Sequence, residues 1–507
     1  MSPASRQAGD IGSGSRQAGG DRLVLLLVAT LAGLAAAVWL AAGVGGVIAH
    51  GSWPPIAFSD AATAVPRLVS DPAHPTAAWP RAAHTEMPAP RLFYALLALP
   101  LVLAAGALVM RQVLNHRPGR AGRRGAGVLL GRPVPRGRPL YGALDDSYCV
   151  LGPPRSGTGG HFVVPTVLGA PGAAVVLAAK PDTLRATAAA RGRRGPVHVF
   201  DPQDISGWRP RLRWAPQDGC EAPATALSRA RALTAGVRTG GGGVEADLVQ
   251  TVVRCYLHAL ALAGGEVREL LRWMSDPLDP APLHALQGSA GAADGWAGEL
   301  REQIEADPRQ RTRVWTGVRQ AFAWLADPPV LEACTPDPGE RFDIAQLLRG
   351  RGTLYLVGTG TGGAPVTPLV TALIEDVVEH GRRAAARSPG GRLDPPLLAM
   401  LEDVATAAPL PWLPRLLADA GGFGVTIAAV LPSLSQARER WGEAGTAAVW
   451  EASTVKLVFG GVTPGTGPGG VPLPGPGAEA ERLRGLPYGR AVILQRGAAV
   501  TVDLPRA

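Results

Sequence analysis

The chain has 507 residues, 46% apolar and 18% charged, with 66 glycines and 48 prolines. At roughly 150 residues per domain this allows two or three folded units, and the apolar share excludes wholesale disorder. The net charge is +9, but Arg111–Arg138 alone holds eight arginines and no Asp or Glu, so the remainder is almost neutral and its basicity is no sign of nucleic-acid binding.

Residues 1–22 read as a polar tail. From Leu23 to Ala49 no side chain is charged, and a second uncharged run extends from Leu92 to Met110, bounded by Arg91 and Arg111. Each approaches the ~20 residues a spanning helix needs, and the first apolar region is too long for a signal peptide. The sequence thus predicts two transmembrane helices within residues 23–110, joined by an external loop over 50–91. A buried core hairpin is the alternative. The arginines of the juxtamembrane linker, 111–139, place the tail and the main body in the cytoplasm by the positive-inside rule. The expected localisation is the cell membrane, multi-pass. Those arginines read as topology and contact with anionic lipid, with a DNA-facing role as the alternative.

From residue 140 the pattern is α/β. The runs SYCVL (147–151), AAVVLAA (173–179) and VHVF (197–200) are nearly continuous in apolar residues, as in a parallel sheet covered on both faces. Residues 216–350 read as an all-α insertion, and strands resume with TLYLVG (353–358), PLLAML (396–401), VTIAAVL (425–431), VKLVFGG (455–461) and RAVILQ (490–495). The sheet domain is therefore expected in two halves, 140–215 and 351–507, with a Pro/Gly-rich loop at 462–478. Cys149, Cys220, Cys255 and Cys334 form no CxxC pair, and the nine histidines show no metal spacing, so reduced buried thiols and no zinc site are expected.

After the first of these strands comes Gly152-Pro153-Pro154-Arg155-Ser156-Gly157-Thr158-Gly159, at the position and spacing of a P-loop. In that motif the backbone wraps the phosphates at a helix N-terminus, a lysine spans the β- and γ-phosphates, and the next hydroxyl holds Mg²⁺. Here those last two positions are Thr158 and Gly159. After PLLAML stand Glu402 and Asp403, adjacent acids at a strand end as in a Walker B site, but in reversed order. An ordinary strand–turn–helix connection and a solvated acid pair are the plainer alternatives.

GPPRSGTGGHFVVPTVLGAPGAAVVLAAKPDTL, VHVFDPQ, LLAMLEDVATAAPLPWLPRLLADAGGFGVTIAAVLPSLSQARERWG and TVKLVFGG together resemble the type IV coupling proteins, the TraG/TraD-like conjugative DNA-transfer ATPases. The resemblance covers most of residues 23–507 and is most specific from Leu397 to Gly461, the TraM-recognition segment. It implies a RecA-like P-loop NTPase fold carrying an all-α insertion behind two transmembrane helices. ATP with Mg²⁺ is the implied cofactor. DNA or a relaxase-type protein is the implied substrate, with secretion-channel components as partners and a homo- or hetero-hexamer as the assembly.

Carried over by position, the family's P-loop lysine falls on Thr158, its Ser/Thr on Gly159, and its Walker B Asp-Glu on Glu402-Asp403, the tentative Mg²⁺ ligands. The glutamine expected to sense the γ-phosphate falls on Pro432. Asp201-Pro202 and Lys180 are kept, and Lys180 is expected at the edge of the strand neighbouring the loop, as a substitute phosphate contact or in a structural role. Arg438 and Arg440 are candidate trans arginine fingers or plain surface charges. His161 is a candidate phosphate contact or a helix-start residue without a role. Trp273, Trp315 and Trp324 face substrate or fill the insertion core. The four departures imply a retained fold with nucleotide binding or hydrolysis weakened, as in a scaffold or regulatory paralogue. An active DNA or protein translocase with an unorthodox nucleotide site stays open, as does a membrane-surface protein unrelated to DNA.

Overall fold

The computed structural model describes residues 33–99, 127–135, 137–237, 243–337, 339–358, 366–462, 483 and 485–506. The chain divides into two compact units, Met1–Gly119 and Arg120–Ala507. The 1–22 tail, most of the Arg-rich linker and nearly all of the 462–478 loop lie outside the described residues.

In the first unit, Gly33–His50 forms one helix long and apolar enough to cross a membrane. Of the second expected span only the helix Pro90–Leu99 is described; residues 100–110 lie outside. The segment expected as an external loop is itself folded, with a helix over Phe58–Ser70 followed by two short 3₁₀ turns. That helix starts where Asp60 accepts the Ala57 N–H at 2.9 Å, satisfying one of the donors a helix start leaves over. Ala61, Ala64 and Leu68 from it pack with Val38, Ala42, Trp79 and Phe93 into a small core.

The second unit is built on one sheet of eleven strands. These are β1 (Val128–Pro133), β2 (Leu140–Gly142), β3 (Tyr148–Leu151), β4 (Ala174–Ala178), β5 (Val197–Phe200), β6 (Thr353–Val357), β7 (Leu397–Leu401), β8 (Val425–Leu431), β9 (Val455–Phe459), β10 (Arg490–Gln495) and β11 (Ala498–Asp503). Their order is β2-β1-β11-β10-β9-β3-β8-β7-β4-β6-β5. From β9 to β5 every pair is parallel, and from β9 to β2 every pair is antiparallel. Part of the expected linker is thus sheet: β1 pairs with β11, setting Arg132 opposite Asp503.

The parallel strands are buried on both faces, and side chains alternate between two cores. Cys149, Leu151, Val175, Leu177, Leu401 and Leu431 face one core, and Tyr148, Val150, Val176, Met400 and Val430 face the other. The first core continues into the helices between β5 and β6, where no strand occurs among the described residues. There the Asp307 carboxylate caps the helix Pro308–Ala321 by accepting the Arg309 and Gln310 N–H groups. Trp273, Trp315 and Trp324 are fully buried, and the Trp315 indole donates to the Tyr256 hydroxyl at 3.2 Å. They are core, not a substrate-facing surface. All four cysteines are buried free thiols.

Candidate nucleotide site

Because β9, β3, β8, β7, β4, β6 and β5 run in one direction, the segments leaving them share one edge of the sheet. Ligands of open α/β sheets bind at that edge. β10 runs antiparallel to β9, so Tyr488 and Gly489, which lead into it, return to the same edge beside the β3 loop.

The loop after β3 is a tight turn. Gly152 donates to the Leu431 carbonyl at 3.0 Å, Ser156 to Pro153 at 3.1 Å, and His161 to Gly157 at 2.9 Å. Gly157 has φ 98°, a conformation that favours glycine, and exposed Arg155 has φ 67°. The chain then enters a π-helical turn, Gly159–Val163, and the helix Val164–Gly169. The Thr158 and Ser156 hydroxyls bond one another at 2.9 Å. Thr158 is folded over Gly152 so closely that a Cβ there would collide with its hydroxyl. At Gly159 and Gly160, by contrast, an added Cβ would meet open space.

His161 is turned away from the mouth. Its ring sits between Gly157 and Gly489, with Nδ1 at 2.9 Å from the Pro505 carbonyl and a buried Nε2 that has no hydrogen-bond partner. It ties the C-terminal segment to the helix start.

Glu402 and Asp403 end β7, two strands from β3 and so about 10 Å along the edge. The Glu402 carboxylate accepts the Thr183 hydroxyl at 3.2 and 3.3 Å. Burial pushes its pKa up to about 7, with the charges of Asp403 and Asp182 adding to the shift. Asp403, at φ 49°, is also raised by burial, against the opposing charge of Lys180. Lys180 follows β4, which β8 and β7 separate from β3, so it does not leave the strand neighbouring the loop. Its charge acts on Asp403.

The other carried-over residues separate. Asp201 accepts from Ile205 N, Ser206 N and the Ser206 hydroxyl at 3.0, 2.7 and 2.6 Å, which makes it a turn former. Arg438 pairs with Glu443 at 2.9 Å across a kink at Gly442 in the helix Leu434–Ala452. Arg440 and Gln436 line a separate cleft of about 500 Å³ with Gln320 and Thr367. Tyr488 and Thr183 were not singled out by sequence. Tyr488 is signalled only by the antiparallel return of β10, which local pattern does not reveal.

Mg²⁺ needs ionised or hard oxygen ligands in near-octahedral array. Position 159 has no side-chain oxygen, Ser156 and Thr158 bond each other, burial raises the Glu402 carboxyl, and the Lys180 charge acts on Asp403. Among the described residues no group of three or more His, Cys, Asp or Glu could hold a metal ion. The side-chain hydroxyl that the motif gives to Mg²⁺ is absent at Gly159, and Glu402 and Asp403 are the carboxylates that would remain to hold it. The glycine turn, with space above Gly159 and Gly160, does fit a phosphate held by backbone groups.

Two family models match the chain: "TraM recognition site of TraD and TraG" over residues 396–466, and "Type IV secretory system Conjugative DNA transfer" over residues 118–260. Among solved structures, the unbound bacterial conjugative coupling protein TrwBdeltaN70 is similar at TM-score 0.56 and 17% identity, covering 76% of this chain and 91% of that one. The plasmid coupling protein TrwB in complex with ADP and Mg²⁺ is similar at TM-score 0.51 and 16% identity, covering 72% of this chain and 85% of that one. A search of curated proteins finds no match.

Proposed function

Since this chain belongs to the type IV coupling protein family and has its RecA-like α/β P-loop fold, we propose that it is a membrane-anchored coupling-type protein whose nucleotide site has lost Mg²⁺-dependent hydrolysis. It acts as a scaffold or regulatory paralogue in conjugative DNA transfer or a related secretion system. The observation that carries this reading is the state of Thr158. Where the motif needs a cation spanning two phosphates, a neutral hydroxyl is folded back onto Ser156. A preorganised charge at a phosphoryl transition state is worth about 3 kcal/mol or more, and here the hydroxyl for the metal is missing as well.

Anchoring rests on the helix Gly33–His50 and on the run of arginines from 111 to 138, which together suit a cytoplasmic body tethered at the cell membrane. By family resemblance the partners are DNA or a relaxase-type protein, secretion-channel components and other copies in a homo- or hetero-hexamer.

A second reading, an active translocase, is favoured by one feature: Arg155 is an exposed cation within the loop itself. Calorimetry of the full chain in detergent separates the two. The scaffold reading expects ATP binding that is weak and unchanged by Mg²⁺. Tight binding strengthened tenfold or more by Mg²⁺ would favour the translocase.

A further inference from the structure

Tyr488 has no role in the fold that accounts for its exposure. It is a large aromatic with 69% of its surface open to solvent, two residues before β10. Yet one edge of the ring is fixed against the loop: a Cβ on Gly157 would stand 3.1 Å from Tyr488 Cε2 and 3.3 Å from Cζ. The ring therefore borders the glycine turn at Gly157.

The ring is also braced. The His161 ring meets it edge to face, with centroids 5.1 Å apart at 80°. His161 is held by the Pro505 carbonyl, the Leu504 N–H donates to Gly489 at 2.9 Å, and Arg490 pairs with Asp503 at 2.6 Å. Gly489, at φ 81°, lets the chain turn while leaving room for the His161 ring, which a Cβ there would meet at 2.9 Å. An aromatic ring held in place beside a phosphate-sized turn, with most of its surface free, suits a flat π-system. Stacking of this kind is sequence-tolerant and needs no metal.

We infer that Tyr488 is the nucleobase platform of this site, so that a nucleoside phosphate is recognised through its base, with its phosphates on the turn at Gly157–Gly160. The inference rests on reading the loop as a nucleotide site. It explains how such a site keeps a ligand after losing the lysine and the metal hydroxyl: the base supplies affinity that the phosphates no longer do.

The test measures binding of ADP and of inorganic tripolyphosphate, both without metal, to the full chain in detergent. Tyr488→Ala and Tyr488→Phe are compared with the native protein. Expected are a loss of ADP affinity of about tenfold for Tyr488→Ala, little change for Tyr488→Phe, and tripolyphosphate binding unaltered by either. If ADP binds and Tyr488→Ala leaves its affinity unchanged, the platform is overturned while the site stands. If Tyr488→Ala weakens ADP and tripolyphosphate equally, Tyr488 merely shapes the loop and the platform is again overturned. If neither ligand binds the native chain, the nucleotide reading falls and the platform with it. Melting curves of the variants, expected to coincide because Tyr488 is exposed, control for folding.

Discussion

The Thr158 hydroxyl lies 2.9 Å from that of Ser156, and both are drawn into the turn above Gly152. In that pair one hydroxyl donates to the other, and neither brings a phosphate the charge that a lysine would. A lysine at 158 has too long a stem for that space and must extend outward, freeing Ser156. Position 159 opens onto empty space and accepts a side chain without repacking. The Thr158→Lys, Gly159→Thr double variant is therefore expected to fold as the native chain does. It should bind ATP at least tenfold more tightly, with a Mg²⁺ dependence the native protein lacks, by calorimetry. Unchanged affinity would mean that the turn does not present its backbone to phosphate.

Glu402 gives a pH-dependent signature. Its pKa is pushed by burial to about 7, from an ordinary 4.5. A carboxyl raised on folding is protonated in the folded protein between those values and ionised in the unfolded chain. Its ionisation thus costs stability progressively as pH rises from about 4.5 through 7, reaching about 3 kcal/mol above that window. Glu402→Gln removes the cost. The variant should melt several degrees above the native protein at pH 8.0 and close to it at pH 4.5. A melting difference independent of pH would show that Glu402 ionises freely.

The strands of the parallel sheet were legible because each is short, apolar and buried on both faces, and the loop and acid pair were legible because they follow such strands. β1, β2 and β11 were not. They mix arginine, glycine and exposed residues, and gain their identity only from pairing at the antiparallel margin, as Arg132 opposite Asp503 does. Strand order was equally hidden. Lys180 follows the second strand in sequence, but β8 and β7 come between that strand and the loop in space, so it does not leave the neighbouring strand, and its charge acts on Asp403. Tyr488 was invisible for the same reason: more than 300 residues separate it from the loop that β10 returns it to.

Within the core that the sheet shares with the helices between β5 and β6 lies a buried ion pair. Arg229, on the helix Pro223–Thr234, meets Asp376, on the helix Thr367–Ala386, at 2.9 Å, with the guanidinium 4.5 Å from the Trp214 ring centroid. Burial alone would raise Asp376, but Arg229 holds it below the usual carboxylate range. Asp376→Asn leaves the arginine buried without a counter-charge, which costs about 3–5 kcal/mol. The expected outcome is a clear drop in the melting temperature of the body, partly reversed by adding Arg229→Met. A melting curve unmoved by Asp376→Asn would show that the pair does not stabilise the contact between the two helices.

Arg155 is the one cation in the loop sequence from Gly152 to Gly159. If it meets the phosphates, Arg155→Ala should weaken inorganic tripolyphosphate severalfold and steepen no salt dependence, whereas Arg155→Lys should keep most of the affinity. Equal binding by all three proteins would leave the backbone as the sole phosphate contact.

Phosphate release by the full chain in lipid nanodiscs tests most directly whether this protein has lost Mg²⁺-dependent ATP cleavage. With ATP and Mg²⁺ at saturating concentrations, the native protein is expected to release phosphate at the rate seen without protein, and at the same rate in EDTA. Mg²⁺-dependent turnover that disappears in Glu402→Gln would make this chain a working motor and overturn the scaffold reading.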